Sequence, residues 1–189
     1  MGQRLNIEIV NNERVLANSY YHWNAYTSSS IGLTKHILEN FEKIKDLPPL
    51  KTAISLLQFT GAGFNESEMK ASLNILELAD FKINETTGRN DGLISVSEKG
   101  IKETEQWEEC RVTINIESKS INFNVFSEST KEEYFEDYEV EKDTVIEDLP
   151  FDIANIKFDE FDNFSKIFED NEGVVFFVKE TNKIIIPIE

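Results

Sequence analysis

Leu5, Ile7 and Ile9 alternate with Asn6 and Glu8, Asn11-Asn12-Glu13 supplies turn chemistry, and Val15-Leu16-Ala17 resumes an extended pattern. The chain therefore opens on a predicted β-hairpin, whose second strand is extended by the aromatic run that begins at Tyr20. Thr27 or Ser28 can cap a helix that places Ile31, Thr34, Ile37, Leu38, Phe41 and Ile44 on one face and ends before Pro48-Pro49. A second helix runs from Leu50 to about Phe59 and stops at Gly61, where glycine can take the left-handed cap. Asn65 followed by Glu68 resembles the capping box of a third helix through Leu78.

A polar, glycine-bounded loop from Asn84 to Gly92 leads into a strand, Leu93-Ile94-Ser95-Val96, and Ser97-Glu98-Lys99-Gly100 then opens a helix to about Glu109. Val112, Ile114 and Ile116 are answered by Ile121, Phe123 and Val125 across Ser118-Lys119-Ser120, a second hairpin. The acidic stretch to about Asp148 reads as a loop or a short helix, and Phe161, Phe164, Ile167 and Phe168 predict a further helix. Gly173 to Val178 and Ile184 to Ile188 close the chain as a hairpin around Thr181-Asn182, with Pro187 marking the last strand as an edge. No regular strand-helix-strand series appears. The expected fold is α+β: antiparallel hairpins with three to five helices packed on them. Residues 1–126 are expected to form the core domain, and 127–189 an acidic segment with a C-terminal helix and hairpin packed on the same core.

Composition narrows the classes. At 189 residues and 40% hydrophobic content the chain can bury a core and does not read as disordered. The longest apolar runs, such as Val174-Val175-Phe176-Phe177-Val178, are strand-sized, so neither a signal segment nor a membrane span is expected and the cytoplasm is the expected compartment. The net charge of −17 is uneven: Met1 to Gly100 carries 12 acidic and 10 basic side chains, Ile101 to Glu189 carries 24 and 9. Such a field repels phosphate backbones, which argues against direct nucleic-acid binding and favours a basic protein partner. The strand and helix around Ser97-Glu98-Lys99-Gly100 also occur in winged-helix regulators, but the helices before them lack a basic recognition face.

Candidate chemistry is sparse. Cys110 is the single cysteine, which excludes an internal disulfide and a thiolate zinc site, and the carboxylates of Glu108 and Glu109 oppose its ionisation. Gly61-Ala62-Gly63 lacks the Lys-Ser/Thr ending of a phosphate loop and reads as a helix cap. The acidic groups Asp137/Glu139/Glu141 and Asp159/Glu160/Asp162 do not follow a calcium-loop ladder, so no metal and no cofactor is expected. The run Tyr20-Tyr21-His22-Trp23-Asn24-Ala25-Tyr26-Thr27-Ser28 is denser in stacking faces and donors than any other segment. Alternation along a strand sends one of its two sets into the core, which leaves the other for recognition. Tyr20, Tyr21, His22, Trp23, Tyr26, Thr27 and Ser28, joined by Arg89 and Asn90 from the polar loop, would suit a nucleobase with its phosphate.

The segments Gly2-Gln3-Arg4-Leu5-Asn6-Ile7-Glu8-Ile9, Leu16-Ala17-Asn18-Ser19-Tyr20-Tyr21-His22-Trp23, Gly88-Arg89-Asn90-Asp91-Gly92-Leu93-Ile94 and Trp107-Glu108-Glu109 resemble small uncharacterised proteins of low-GC Gram-positive bacteria and their phages. That resemblance implies no activity, fold or catalytic residue. It does suggest a setting in which small factors neutralise a host system. The expected function is a non-enzymatic binding protein, a phage or mobile-element counter-defence factor that sequesters a nucleotide-derived signal, with homo-oligomerisation left open. One alternative is an acidic inhibitor that blocks a basic nucleic-acid-binding site on a host defence protein through Glu132, Glu133, Glu136 and Asp137. Another is a hydrolase built on His22 with a hydroxyl or carboxylate.

Overall fold

The protein is described from a computed structural model that covers residues 4–21, 27–59, 92–96, 101–102, 108, 110–124, 144–148, 150–169, 176–178 and 183–187. Strands β1 (Leu5–Asn11) and β2 (Arg14–Tyr21) form the opening hairpin, in antiparallel register from Leu5 opposite Tyr21 to Asn11 opposite Arg14. Asn12 makes the turn at φ 54°, a left-handed conformation that asparagine tolerates better than most side chains. The register shifts between Ile9 and Val10, so that Leu16 falls between the pairs Ile9–Ala17 and Val10–Val15.

Helix α1 (Thr27–Ile44) buries Ile31, Thr34, Ile37 and Phe41, with Leu38 and Ile44 partly buried, which is the face its sequence spacing predicts. Its buried Thr34 hydroxyl donates to the Ser30 carbonyl at 2.7 Å, satisfying a polar group without leaving the helix. The bend into α2 (Pro49–Phe59) is held by Thr52, whose hydroxyl donates to the Leu47 carbonyl at 3.1 Å. Pro49 stands at the first helical position, where a missing N–H removes no intrahelical bond. Ala53, Ile54, Leu56 and Leu57 are fully buried, and α2 packs on β1 and β2 as well as on α1.

Strand β3 (Gly92–Ser95) pairs with β2, β4 (Cys110–Asn115) pairs with β5 (Ser120–Asn124), and the short β7 (Ile156–Lys157) pairs with β5, all antiparallel. Lys119 takes φ 50° in the turn between β4 and β5. Helix α3 (Phe161–Glu169) presents Phe161 and Phe164 to the core and Asp162, Asn163 and Lys166 to solvent. Phe164 stands at the centre of an aromatic group, with ring centroids 5.4 Å from Phe123, 5.8 Å from Phe151 and Phe161, and 5.1 Å from Phe168. Each such side chain removed from water contributes about 1.5–3 kcal/mol.

The expectation of antiparallel hairpins is corrected by the order of the central sheet, β3-β2-β1-β4-β5-β7, in which β1 and β4 run parallel from Leu5 beside Cys110 to Val10 beside Asn115. The protein is α+β on a mixed sheet. Strands in parallel sheets usually have both faces apolar and read as unbroken hydrophobic runs. Here β1 and β4 alternate, because one face of the sheet is polar, and alternation mimics a half-exposed antiparallel strand. The pairing also joins segments separated by α1, α2 and β3, a distance over which local pattern is silent.

A second sheet, ordered β6-β9-β8, contains β6 (Thr144–Asp148), β8 (Phe176–Val178) and β9 (Lys183–Pro187). Residues 144–148, expected as loop or helix, are a strand, in keeping with their β-branched start Thr144-Val145-Ile146. The last strand is central rather than an edge. Pro187 is tolerated there because β8 pairs only with Lys183 to Ile185, so at Pro187 the strand has a neighbour, Thr144, on one side alone. The third helix expected at Asn65 to Leu78 lies outside the described residues.

Candidate functional site

Cross-strand register sorts the central sheet into two faces. Toward the helices stand Tyr21 and Leu5, then Ile94, Ser19, Ile7, Val112 and Phe123, then Ala17, Ile9, Ile114, Ile121 and Ile156, each row directly paired across the strands. On the other face the rows are Tyr20, Asn6 and Arg111, then Asn18, Glu8, Thr113 and Asn122. The second set is polar throughout, yet its centre is withdrawn from water: Asn6 and Asn18 are fully buried and Glu8 is only 5% exposed.

The polar groups are joined to one another. Thr113 Oγ1 donates to Glu8 Oε1 at 2.6 Å, and Asn6 Nδ2 donates to Glu108 Oε2 at 2.8 Å. Glu108 also receives a fork from Arg111, with Nε to Oε2 at 2.9 Å and Nη2 to Oε1 at 2.7 Å. Arg111 Nη1 lies 3.7 Å from Glu8 Oε1, so one guanidinium stands between two carboxylates. The side chains of Arg111 and Glu108 keep 24% and 26% of their surface in water, whereas Glu8 keeps 7%. The face thus meets solvent at the Arg111 end and closes toward Glu8.

These positions follow from the strands that carry them. Two residues separate Glu108 from Arg111, a spacing that lets the fork close at the entry to β4, and the parallel pairing of β1 with β4 then brings both to Asn6 and Glu8. Among the described residues no group of three or more His, Cys, Asp or Glu is arranged to hold a metal ion, and no helix is long and apolar enough to cross a membrane.

The aromatic run is split by the same register. Tyr20 belongs to the polar face, half-buried beside Asn6, while Tyr21 is 4% exposed in the core opposite Leu5. Thr27 and Ser28 are the first two residues of α1. His22, Trp23, Tyr26, Arg89 and Asn90, and the acidic Glu132, Glu133, Glu136 and Asp137, lie outside the described residues. Asn6, Glu8, Asn18, Glu108, Arg111 and Thr113 did not stand out in the sequence. Asn6 and Glu8 read there as the wet side of a hairpin, and only the parallel partner shows that this side is buried. A signal was present in the spacing of Glu108 and Arg111 at the mouth of a strand. No family model, no curated protein and no solved structure matches the chain.

Proposed function

We propose that the protein is a non-enzymatic binding protein that sequesters a nucleotide-derived small molecule against the polar face of the central sheet. One observation carries the reading: the buried centre of that face is filled by Asn6, Glu8 and Asn18, with Arg111 and Thr113 beside them, where Val or Ile would fold at least as well. Replacing buried ion pairs by apolar residues is often neutral or stabilising by about 1–4 kcal/mol, so stability alone gives little reason to keep them. Departures from the folding rules concentrate at functional sites.

Amides, a hydroxyl, a guanidinium and carboxylates are the donors and acceptors that read a base, and Tyr20 adds a ring at the same face. Binding without chemistry suffices for inhibition, because holding a signal lowers its free concentration. The setting we assign is the cytoplasm of a bacterium, where a phage or mobile element would use such a protein against a nucleotide-signalled defence. The test is native mass spectrometry of the full chain isolated from host lysate, followed by calorimetry with nucleotides and by analysis of the ligand after denaturation. We expect an intact nucleotide-sized adduct whose affinity falls at least tenfold in Tyr20→Ala. A cleaved product released at turnover, or no affinity for any nucleotide, overturns the proposal.

A further inference from the structure

We infer that the ligand presents a guanine-type donor edge to Glu8, and that Arg111 positions this carboxylate rather than gripping a phosphate. The inference rests on the binding reading above and names the part of the ligand that is read. Arg111 is turned onto Glu108 by two short hydrogen bonds and stands 3.7 Å from Glu8, so its charge is spent on two carboxylates. One cation against two anions leaves this group negative, and the chain as a whole carries −17. A phosphate approaching it would meet repulsion from both glutamates.

What this face offers instead is acceptance. A carboxylate can take about four hydrogen bonds. The Thr113 hydroxyl and the Arg111 guanidinium both approach Glu8 from its Oε1 side, which fixes the orientation of the group. Two adjacent N–H donors match a carboxylate as a parallel fork, the geometry that Arg111 itself makes with Glu108. Among the common bases guanine alone carries such a pair, its ring N1–H beside an exocyclic amino group. Adenine and cytosine place an acceptor next to their amino group, and uracil flanks its single N–H with carbonyls. Asn6 and Asn18, the register neighbours of this region on β1 and β2, add amide donors for the guanine carbonyl. Tyr20 stands in the row that includes Arg111, at the end open to water, where its ring can cover a base face.

The test is isothermal titration of the full chain with guanosine, GMP, inosine, adenosine, AMP and inorganic phosphate. We expect guanosine and GMP to agree within about threefold, and inosine, which lacks the exocyclic amino donor, to bind roughly 10–100-fold more weakly, the range for one hydrogen bond to a charged group. Adenosine, AMP and phosphate alone should show no heat of binding. Glu8→Gln should cost guanosine a similar factor, and the comparison of guanosine with inosine needs no variant should that substitution impair folding. Affinity that follows phosphate irrespective of the base overturns this inference while leaving the binding reading intact. If none of the nucleosides and nucleotides binds, both fall.

Discussion

The two faces of the central sheet share strands, register and burial, yet they are filled by opposite rules. Leu5, Ile7 and Ile9 point to α2 and its neighbours, whereas Asn6 and Glu8, one residue away on the same strand, point to Arg111, Thr113 and Glu108. On the first face every side chain gains by leaving water, and shape decides the fit. On the second each buried polar atom must find a partner, since an unmet one costs about 1–3 kcal/mol. The apolar face therefore accounts for why the chain folds. The polar face needs another account, and recognition supplies it.

The largest effect expected is on the apolar side. Phe164→Ala should destabilise the fold by about 3–5 kcal/mol, because four neighbouring rings cannot all collapse into the space it leaves. Urea unfolding should show this as a fall in midpoint with an unchanged slope. A loss below about 1 kcal/mol would mean that the aromatic group does not pack as described.

Truncating the centre of the polar side should matter less. Glu8→Ala leaves Arg111 and Thr113 facing a gap, and we expect about 2 kcal/mol of destabilisation, discounted from the ~3–5 of a fully buried pair because Arg111 keeps a quarter of its side chain in water. The sharper form of the comparison removes the whole network at once. Glu8→Leu with Glu108→Leu and Arg111→Met should stay within about 1 kcal/mol of the parent or exceed it, while nucleotide binding disappears. A triple variant as unstable as Glu8→Ala would show instead that the polar face holds the fold together.

Ser19 is the polar exception on the helix-facing side, buried between Ile7 and Ile94, and its hydroxyl has no hydrogen-bond partner among the described residues. Ser19→Ala should therefore raise stability by up to about 1 kcal/mol in thermal unfolding, with ligand affinity unchanged. Reduced affinity in this variant would tie the two faces together through β2.

The smallest effect belongs to neither face. Lys45 donates to Glu42 at the surface end of α1, holding the Glu42 carboxyl below its ordinary range and the lysine above its own. For the carboxyl, such stabilisation is present above the unfolded-state pKa and is lost as pH falls through the lowered one; for the lysine it is lost as pH rises through the raised one. Both groups are solvated, so Lys45→Met should leave the melting temperature at pH 7 within measurement error. A measurable drop would make this pair an exception among exposed ion pairs.

Local pattern determined a good deal of this protein. The first hairpin, the faces of α1 and α3, the breaks at Pro48 and at Asn12, and the hairpin at Lys119 all follow from spacings of two or of three to four residues and from turn chemistry. Those spacings act within a few residues, where backbone geometry alone connects sequence to structure. The alternation of Tyr20 and Tyr21 was equally legible as two opposed sets, but not which set would reach the core. That choice, the parallel pairing of β1 with β4, the central place of β9, and the gathering of Asn6, Glu8, Glu108, Arg111 and Thr113 into one network were decided by tertiary structure. A polar position on a strand looks the same in sequence whether water or another strand's arginine awaits it. Only the partner brought across the sheet by the long connection makes Glu8 a buried carboxylate instead of a solvated one.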